Sequence, residues 1–222
     1  MEYTLIRSNR KTLALYIRRG GLEVRAPLHL PKRDIDKFVI SKEKWIREKL
    51  AESGEKLARR ESFALAYEDS VTYRGRQYPI AAKKGDSVGF NDEQFYMPPG
   101  LDSEQIKGAC IQIYRLLAKR DLTNKTIDFA KQMSAKPAAV KINSAKTRWG
   151  SCSTIRNLNF SWRLIMADDD LIDYVVVHEL AHLAEMNHSA RFWAIVEGVL
   201  PDFRERKARL RELQRSLSFE DW

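Results

Sequence analysis

The spacing of apolar residues changes several times along the chain. Residues 3–26 alternate apolar and polar positions, which predicts short strands with a turn at Gly20–Gly21. Over residues 32–60 the apolar spacing becomes helical, and Ser41 is a candidate N-cap that divides this stretch into two helices. Residues 71–97 return to strand-like alternation before a segment rich in proline. The first part of the chain is therefore predicted to be β-rich.

The rest of the chain combines helical patterns with short strand patterns. Residues 102–134 form one long helical pattern, which weakens near Leu122, Thr123 and Asn124. The later predicted elements are a strand near 140–142, a strand near 158–164, a helix over 169–186, and helices that begin near 189 and 201. This mixture predicts an α+β fold. We expect a basic N-terminal α+β region over 1–98 and a second domain over 99–222.

Composition excludes several classes of protein. Apolar residues make up 44% of the 222 residues, which is enough for a sizeable core and excludes a wholly disordered chain. The apolar runs are too short to cross a bilayer, and the first residues lack the apolar segment of a signal peptide. Cys110 and Cys152 are too few for a disulfide framework. We therefore expect a cytoplasmic protein without a membrane partner.

The charge is concentrated at the front of the chain. The net charge is +9, and residues 1–65 carry 16 Lys/Arg against 9 Asp/Glu. Such a basic region is a candidate contact for nucleic acid or nucleotides. The alternative is a solvated, lysine-rich surface, since no nucleic-acid-binding motif accompanies the charge.

Three of the four histidines lie within eleven residues of one another. The segment from His178 to His182 reads His-Glu-Leu-Ala-His, and residues four apart on a helix project from the same face. Leu171 and Val175 share that face, whereas Leu180 lies opposite, so the helix should be buried between two layers. Buried polar side chains need a compensating interaction, which a metal ion can supply.

His188 is the candidate third ligand because it follows the helix, where the chain can fold back on the histidine face. The competing third ligands are Glu185, Glu197, Glu205 and Glu212. Three neutral ligands and one open position are typical of catalytic zinc, so we expect one Zn²⁺ per chain. Glu179 points about 100° away from His178 around the helix and is the candidate general base. A water activated by the ion would then attack a peptide carbonyl.

The sequence resembles a known family at several points. The matching segments are Thr147–Ser153, Asn159–Leu164, Tyr174–His182 and Asn187–Ser189, together with Phe192, Trp193 and segments of the N-terminal part. They resemble the YgjP-like metal-dependent hydrolases, which are grouped with the M48-like and SprT/WLM-like zincin metallopeptidases. The resemblance implies a zincin-like catalytic core in residues 99–222, with a backing helix, a small sheet and an active-site HExxH helix. It also implies that His178, His182 and His188 are metal ligands and Glu179 is the base.

Several residues near the motif are candidate substrate contacts. They are Arg148, Trp149, Gly150, Asn159 and Arg163. The two guanidinium groups suit a carboxylate or phosphate, although surface ion pairs would explain them equally well. Trp149 could instead belong to the core. In zincins an edge strand pairs with extended substrate, and the segment 159–164 is the candidate for that strand.

Three functional hypotheses follow. The first is a zinc-dependent hydrolase of the metallopeptidase type, acting on a peptide or protein. The second keeps the metal but assigns nucleotides or phosphoesters as substrates, although no two-metal carboxylate cluster or phosphate-binding glycine loop is visible. The third is a nucleic-acid-binding module with incidental zinc, whose binding would depend steeply on salt.

Overall fold

The computed structural model describes residues 1–18 and 20–222, which form two compact units. The first comprises residues 1–63 and 218–221, and the second comprises residues 64–217 and Trp222. In the part of the chain that is described, no helix combines the length and apolar character required to cross a lipid bilayer.

The first unit is a small sheet with two helices. Its elements are β1 (Thr4–Ser8), β2 (Ala14–Arg18), β3 (Gly21–Pro27), α1 (Lys32–Ser41) and α2 (Glu43–Glu61). The central strand, β3, pairs with β1 in parallel and with β2 in antiparallel orientation. Alternate residues of β3 are buried, and they form a core with apolar residues of both helices.

The predicted division between α1 and α2 is confirmed, but the predicted cap is wrong. Ser41 is the last residue of α1, and its hydroxyl donates to the carbonyl of Phe38. Lys42 lies between the helices at φ −109° and provides no side-chain cap for α2. The serine hydroxyl is therefore used to end one helix and does not begin the next.

The second unit contains the remaining elements. They are β4 (Ser70–Tyr73), β5 (Arg76–Ala82), β6 (Gly89–Phe90), β7 (Phe95–Met97), α3 (Ser103–Gln132), β8 (Ala139–Asn143), β9 (Gly150–Cys152), β10 (Asn157–Ser161), a 3₁₀ helix (Trp162–Met166), α4 (Asp169–Ala181), α5 (Ala190–Val199) and α6 (Phe203–Leu217). The strands form two small sheets with the orders β4-β5-β7-β6 and β8-β10-β9. Mixed helices and small sheets confirm the α+β fold class.

The long helix α3 is continuous. Asp102 caps it by accepting a hydrogen bond from the backbone N–H of Gln105, whose side chain accepts one from Asp102 in return. The expected weakening near Leu122 is absent, because α3 runs through that position. The hydroxyl of Thr126 donates to the Leu122 carbonyl without breaking the helix.

The unit boundary differs from the expected boundary near residue 98. The sheet formed by β4–β7 packs against α3, where the rings of Phe95 and Tyr114 lie 5.2 Å apart. The Tyr73 hydroxyl donates to the buried Asp121 carboxylate at 2.5 Å. Burial, assisted by that carboxylate, raises the pKa of Tyr73 to about 12. These contacts join residues 64–98 to the second unit, so the first unit ends at Phe63.

Two predicted element ends also differ. The strand expected over 158–164 ends at Ser161, and the next five residues form the buried 3₁₀ helix. The helix expected to reach Met186 ends at Ala181 and is followed by turns. The helix therefore ends just before His182, the second histidine of the motif, which is its C-cap residue. His188, the third histidine, consequently lies in the connection after the helix.

Candidate metal centre and adjoining cleft

The three clustered histidines meet at the C-terminal end of α4. His178 lies in the last turn of this helix, His182 is its C-cap residue, and His188 lies in the connection to α5. One ring nitrogen from each lies within 4.8 Å of the other two. The Nε2 atoms of His178 and His188 are 3.1 Å apart. The structure thus brings together the three residues that the sequence analysis selected as ligands.

Helix α5 supports the imidazole rings from one side. Ser189 caps α5 by accepting from the backbone N–H of Phe192. The ring of Phe192 is fully buried and lies 4.6–4.9 Å from all three imidazoles. Trp193 stacks on His188 with ring centroids 5.6 Å apart. The sequence analysis did not identify these two aromatic residues as supports for the site.

His178 and His182 are held in the neutral form, which is the form that binds metal ions. Burial lowers the pKa of His178 to about 3, and the neighbouring imidazoles contribute to the shift. Burial is also the main cause of the lowered pKa of His182. Nδ1 of His182 lies 3.1 Å from the Glu185 carbonyl oxygen, so this nitrogen carries the proton and leaves Nε2 as an acceptor. No described residue fixes the tautomer of His178 in this way, because its buried Nδ1 has no partner.

The competing glutamates are not part of this cluster. Within the described residues, the group able to hold a metal consists of the three histidines alone. Glu185 contacts His182 through its backbone carbonyl. Glu197 forms an ion pair with Arg204, with 2.6 Å between its Oε1 and Nη1 of the arginine. Three convergent imidazole nitrogens therefore form a donor set that fits a divalent metal ion.

Glu179 is a buried carboxylate beside this donor set. Only 5% of its surface is exposed, and burial raises its pKa to about 8, while the positive charge of Arg148 opposes the shift. Its Oε2 atom has no hydrogen-bond partner in the described part of the chain. A buried carboxyl group without a structural partner is costly, which indicates a functional reason for its position.

The backbone of β9 approaches Glu179 closely at Gly150. A Cβ atom built on Gly150 would lie 2.6 Å from Oε1 and 2.7 Å from Cγ of Glu179. Real contacts of this kind are not tolerated, so any larger residue at position 150 must displace the glutamate. The absence of a side chain at Gly150 therefore leaves the space that the Glu179 carboxyl group occupies.

Replacing Gly150 with alanine is expected to lower any catalytic activity that depends on Glu179 by about 10²-fold, because a displacement of about 1 Å at a reacting group has that effect. Gly198→Ala is the matched control, since a Cβ at this exposed position of α5 meets nothing within 4 Å. Activity and circular dichroism of both variants provide the measurement. Equal activity in the two alanine variants would contradict the proposed role of the contact.

A cleft of about 520 Å³ adjoins His178 and Glu179. Its lining residues are Arg148, Trp149, Gly150, Tyr174, Val175, His178, Glu179, Lys207, Leu210, Arg211, Gln214 and Arg215. Three of the five candidate substrate contacts, which are Arg148, Trp149 and Gly150, belong to this lining. They come from the start of β9 and the loop before it.

The other two candidate contacts lie elsewhere. The side-chain amide of Asn159 donates to the Ser151 carbonyl at the limit of hydrogen-bond length. Arg163 is buried and donates to the carbonyls of Ser144 and Trp222. Neither residue lines the cleft. The side-chain N–H groups of both residues donate hydrogen bonds to backbone carbonyls of the protein itself.

The expected substrate-pairing strand is also corrected. The strand β10 is central in its sheet, because β8 and β9 pair with it on its two sides. Its backbone N–H and C=O groups therefore already pair with these two strands and are not available to a substrate. The strand at the edge of this sheet beside Glu179 is β9.

The sequence analysis missed the contribution of α6 to the cleft. Lys207, Leu210, Arg211, Gln214 and Arg215 recur at intervals of three and four, so they lie on one face of α6. That spacing was a signal visible in the sequence. The sequence did not indicate that this face lies opposite the histidine helix.

The fold and this site define a class of protein before any relative is considered: an α+β protein with three histidines that could hold a metal ion beside a buried glutamate. The family described as "YgjP-like, metallopeptidase domain" matches residues 11–213. The chain therefore belongs to the YgjP-like metallopeptidase family, as the resemblance predicted. None of the curated proteins matches it.

Two solved structures are similar to part of the chain. The metallopeptidase zymogen abylysin of Pyrococcus abyssi is 24% identical, covers 42% of this chain and 96% of its own, and aligns with a TM-score of 0.39. The metallopeptidase zymogen jannalysin of Methanocaldococcus jannaschii is 17% identical, covers 41% of this chain and 95% of its own, and aligns with a TM-score of 0.38.

Proposed function

We propose that this protein is a zinc-dependent hydrolase of the metallopeptidase type, with peptides or proteins as substrates. In this proposal His178, His182 and His188 hold one zinc ion and Glu179 transfers the proton. The observation that carries it is the convergence of three imidazoles beside a buried carboxylate whose Oε2 lacks a hydrogen-bond partner among the described residues. Membership of a metallopeptidase family supports the same conclusion.

Zinc is favoured by the chemistry of the donor set. All three candidate ligands are imidazole nitrogens, and three protein ligands leave one position open for water or substrate. The Nε2 atoms of His178 and His188 are 3.1 Å apart, and one ring nitrogen of each of the three histidines lies within 4.8 Å of the other two, so all three could bind the same ion.

The protein's own residues supply the proton transfer. When bound, zinc would supply Lewis-acid chemistry, which polarises a carbonyl group and makes water more acidic. Glu179 would accept a proton from the attacking water and return it to the leaving amine. Burial raises the pKa of Glu179 to about 8, which makes the ionised carboxylate a stronger base for the proton that it would accept and return. The absence of a side chain at Gly150 leaves room for this carboxyl group.

Removing the metal tests this function. Purified protein should contain one zinc per chain, and dialysis against a chelator should abolish hydrolysis of casein and peptides until zinc is restored. Chelation should also lower the melting temperature by several degrees, because an ion present at 1,000 times its Kd stabilises the folded site by about 4 kcal/mol. Full activity of zinc-free protein would overturn the proposal.

A further inference from the structure

The cleft beside the proposed metal centre has a one-sided charge. Its cationic lining residues are Arg148, Lys207, Arg211 and Arg215. Glu179 is the single acidic residue of the lining, and it is buried. A concave surface with this excess of positive charge attracts anionic groups and raises their local concentration.

The basic residues of α6 differ according to whether they line the cleft. Outside the cleft, Arg204 forms an ion pair with Glu197, Arg206 with Asp202, and Arg209 with Asp168, at N–O distances of 2.6, 2.9 and 2.7 Å. Facing the cleft, Lys207 and Arg211 form no ion pair with any described residue. Three arginines of α6 outside the cleft are therefore paired with carboxylates, whereas Lys207 and Arg211 are not paired with one in the part of the chain that is described.

This arrangement carries an electrostatic cost without a ligand. Lys207 and Arg211 are four residues apart on one helix, where like charges repel each other. The Lys207 ammonium is partly buried, 4.4 Å from the centre of the Trp193 ring. Burial and the nearby Arg211 lower the pKa of this lysine. An anion bound in the cleft would relieve both effects.

We propose that Arg148, Lys207 and Arg211 bind a carboxylate of the substrate close to the bond that is cleaved. This inference rests on the proposed function and names its substrate class: peptides that place an acidic side chain, or their own C-terminal carboxylate, in the cleft. The guanidinium fork accepts a carboxylate through two parallel hydrogen bonds. Arg148 comes from the loop before β9 and Arg211 from α6, so two separate elements supply the donors.

The test uses the zinc-loaded full-length protein and a peptide library analysed by mass spectrometry. Peptides with amidated C-termini carry Glu, Gln or Lys at each position in turn, and a second set has free C-termini. We expect Glu at one position beside the cleaved bond to exceed Gln by about tenfold in kcat/KM, as one charge-assisted interaction of about 1.4 kcal/mol provides. A preference confined to the second set would assign the C-terminal carboxylate instead.

Variants connect the preference to the named residues. Arg211→Gln and Arg148→Gln should each reduce the Glu-to-Gln ratio towards one. Arg204→Gln removes the same charge from the first turn of α6, outside the cleft lining, and should leave the ratio unchanged. A ratio of one in the wild-type protein, or a ratio that neither cleft variant alters, would overturn the proposal.

Binding separates this inference from the proposed function. The affinity of Glu179→Gln protein for Glu and Gln peptides can be measured by calorimetry, without any cleavage. A Glu preference that depends on Arg211, in a protein whose wild type cleaves nothing, would support the carboxylate site and contradict the hydrolase. If the wild type cleaves both peptides and the variant binds both with equal affinity, the hydrolase would be supported and the carboxylate site contradicted. Tighter binding of single-stranded DNA than of the Glu peptide, through the same arginines, would also overturn the carboxylate assignment.

Discussion

Glu179→Gln is expected to reduce kcat by about 10²–10⁴-fold while the protein keeps its zinc, because the amide has nearly the same shape but cannot accept the proton from water. The effect should be large because Glu179 is the one carboxylate that lines the cleft. Metal analysis and peptide hydrolysis by the same preparations provide the measurement.

Glu185→Gln is the control for this substitution. It removes a carboxylate near the histidines, but the contact between Glu185 and His182 uses the backbone carbonyl, which the substitution retains. We expect this variant to keep most of the activity. If Glu179→Gln were as active as wild type, a proton-transfer role for Glu179 would be excluded.

His188→Ala is expected to lower zinc affinity by more than 100-fold, so that the purified variant loses most of its metal and its activity. Removal of groups that only support a ligand already costs 10–100-fold, and a ligand itself should cost more. His188 is exposed, so its removal should disturb the apoprotein little. Zinc content and the change in melting temperature on zinc addition are the readouts.

Two control variants test whether the loss of zinc is specific to His188. Glu185→Ala should retain zinc, since it removes the competing carboxylate and leaves the carbonyl that contacts His182. His29→Ala removes a histidine from the first unit and should also retain zinc. Zinc loss in Glu185→Ala, with zinc retained in His188→Ala, would assign the third ligand to the glutamate.

Local patterns predicted most elements of the fold, but they did not predict how strands pair. Apolar alternation identified the segment near 158–164 as a strand, and the structure has β10 there. Alternation is the same for an edge strand and a central strand, because it records only which faces are buried. Pairing with β8 and β9 involves distant residues, and it places β10 in the centre of its sheet.

In the candidate site, too, local spacing identified some residues, whereas the roles of others depended on distant contacts. His178, Glu179 and His182 were identified from their spacing, since the geometry of one helix specifies their relative directions. Arg163 was selected by its chemistry, but its guanidinium is held by backbone carbonyls of the second unit. Residue type alone does not show whether an arginine reaches a substrate or stabilises the fold, because the contacts that decide it come from other parts of the chain.

The sequence by itself determined the set of candidate ligands and the base, because helical periodicity and a short connection constrain residues that are close in the chain. Only the tertiary structure decided that Gly150 lies against Glu179 and that Lys207 and Arg211 face the same cleft. Those arrangements depend on how β9, α4 and α6 pack together. Packing is decided by the burial of apolar faces across the whole unit, which no local pattern of residues records.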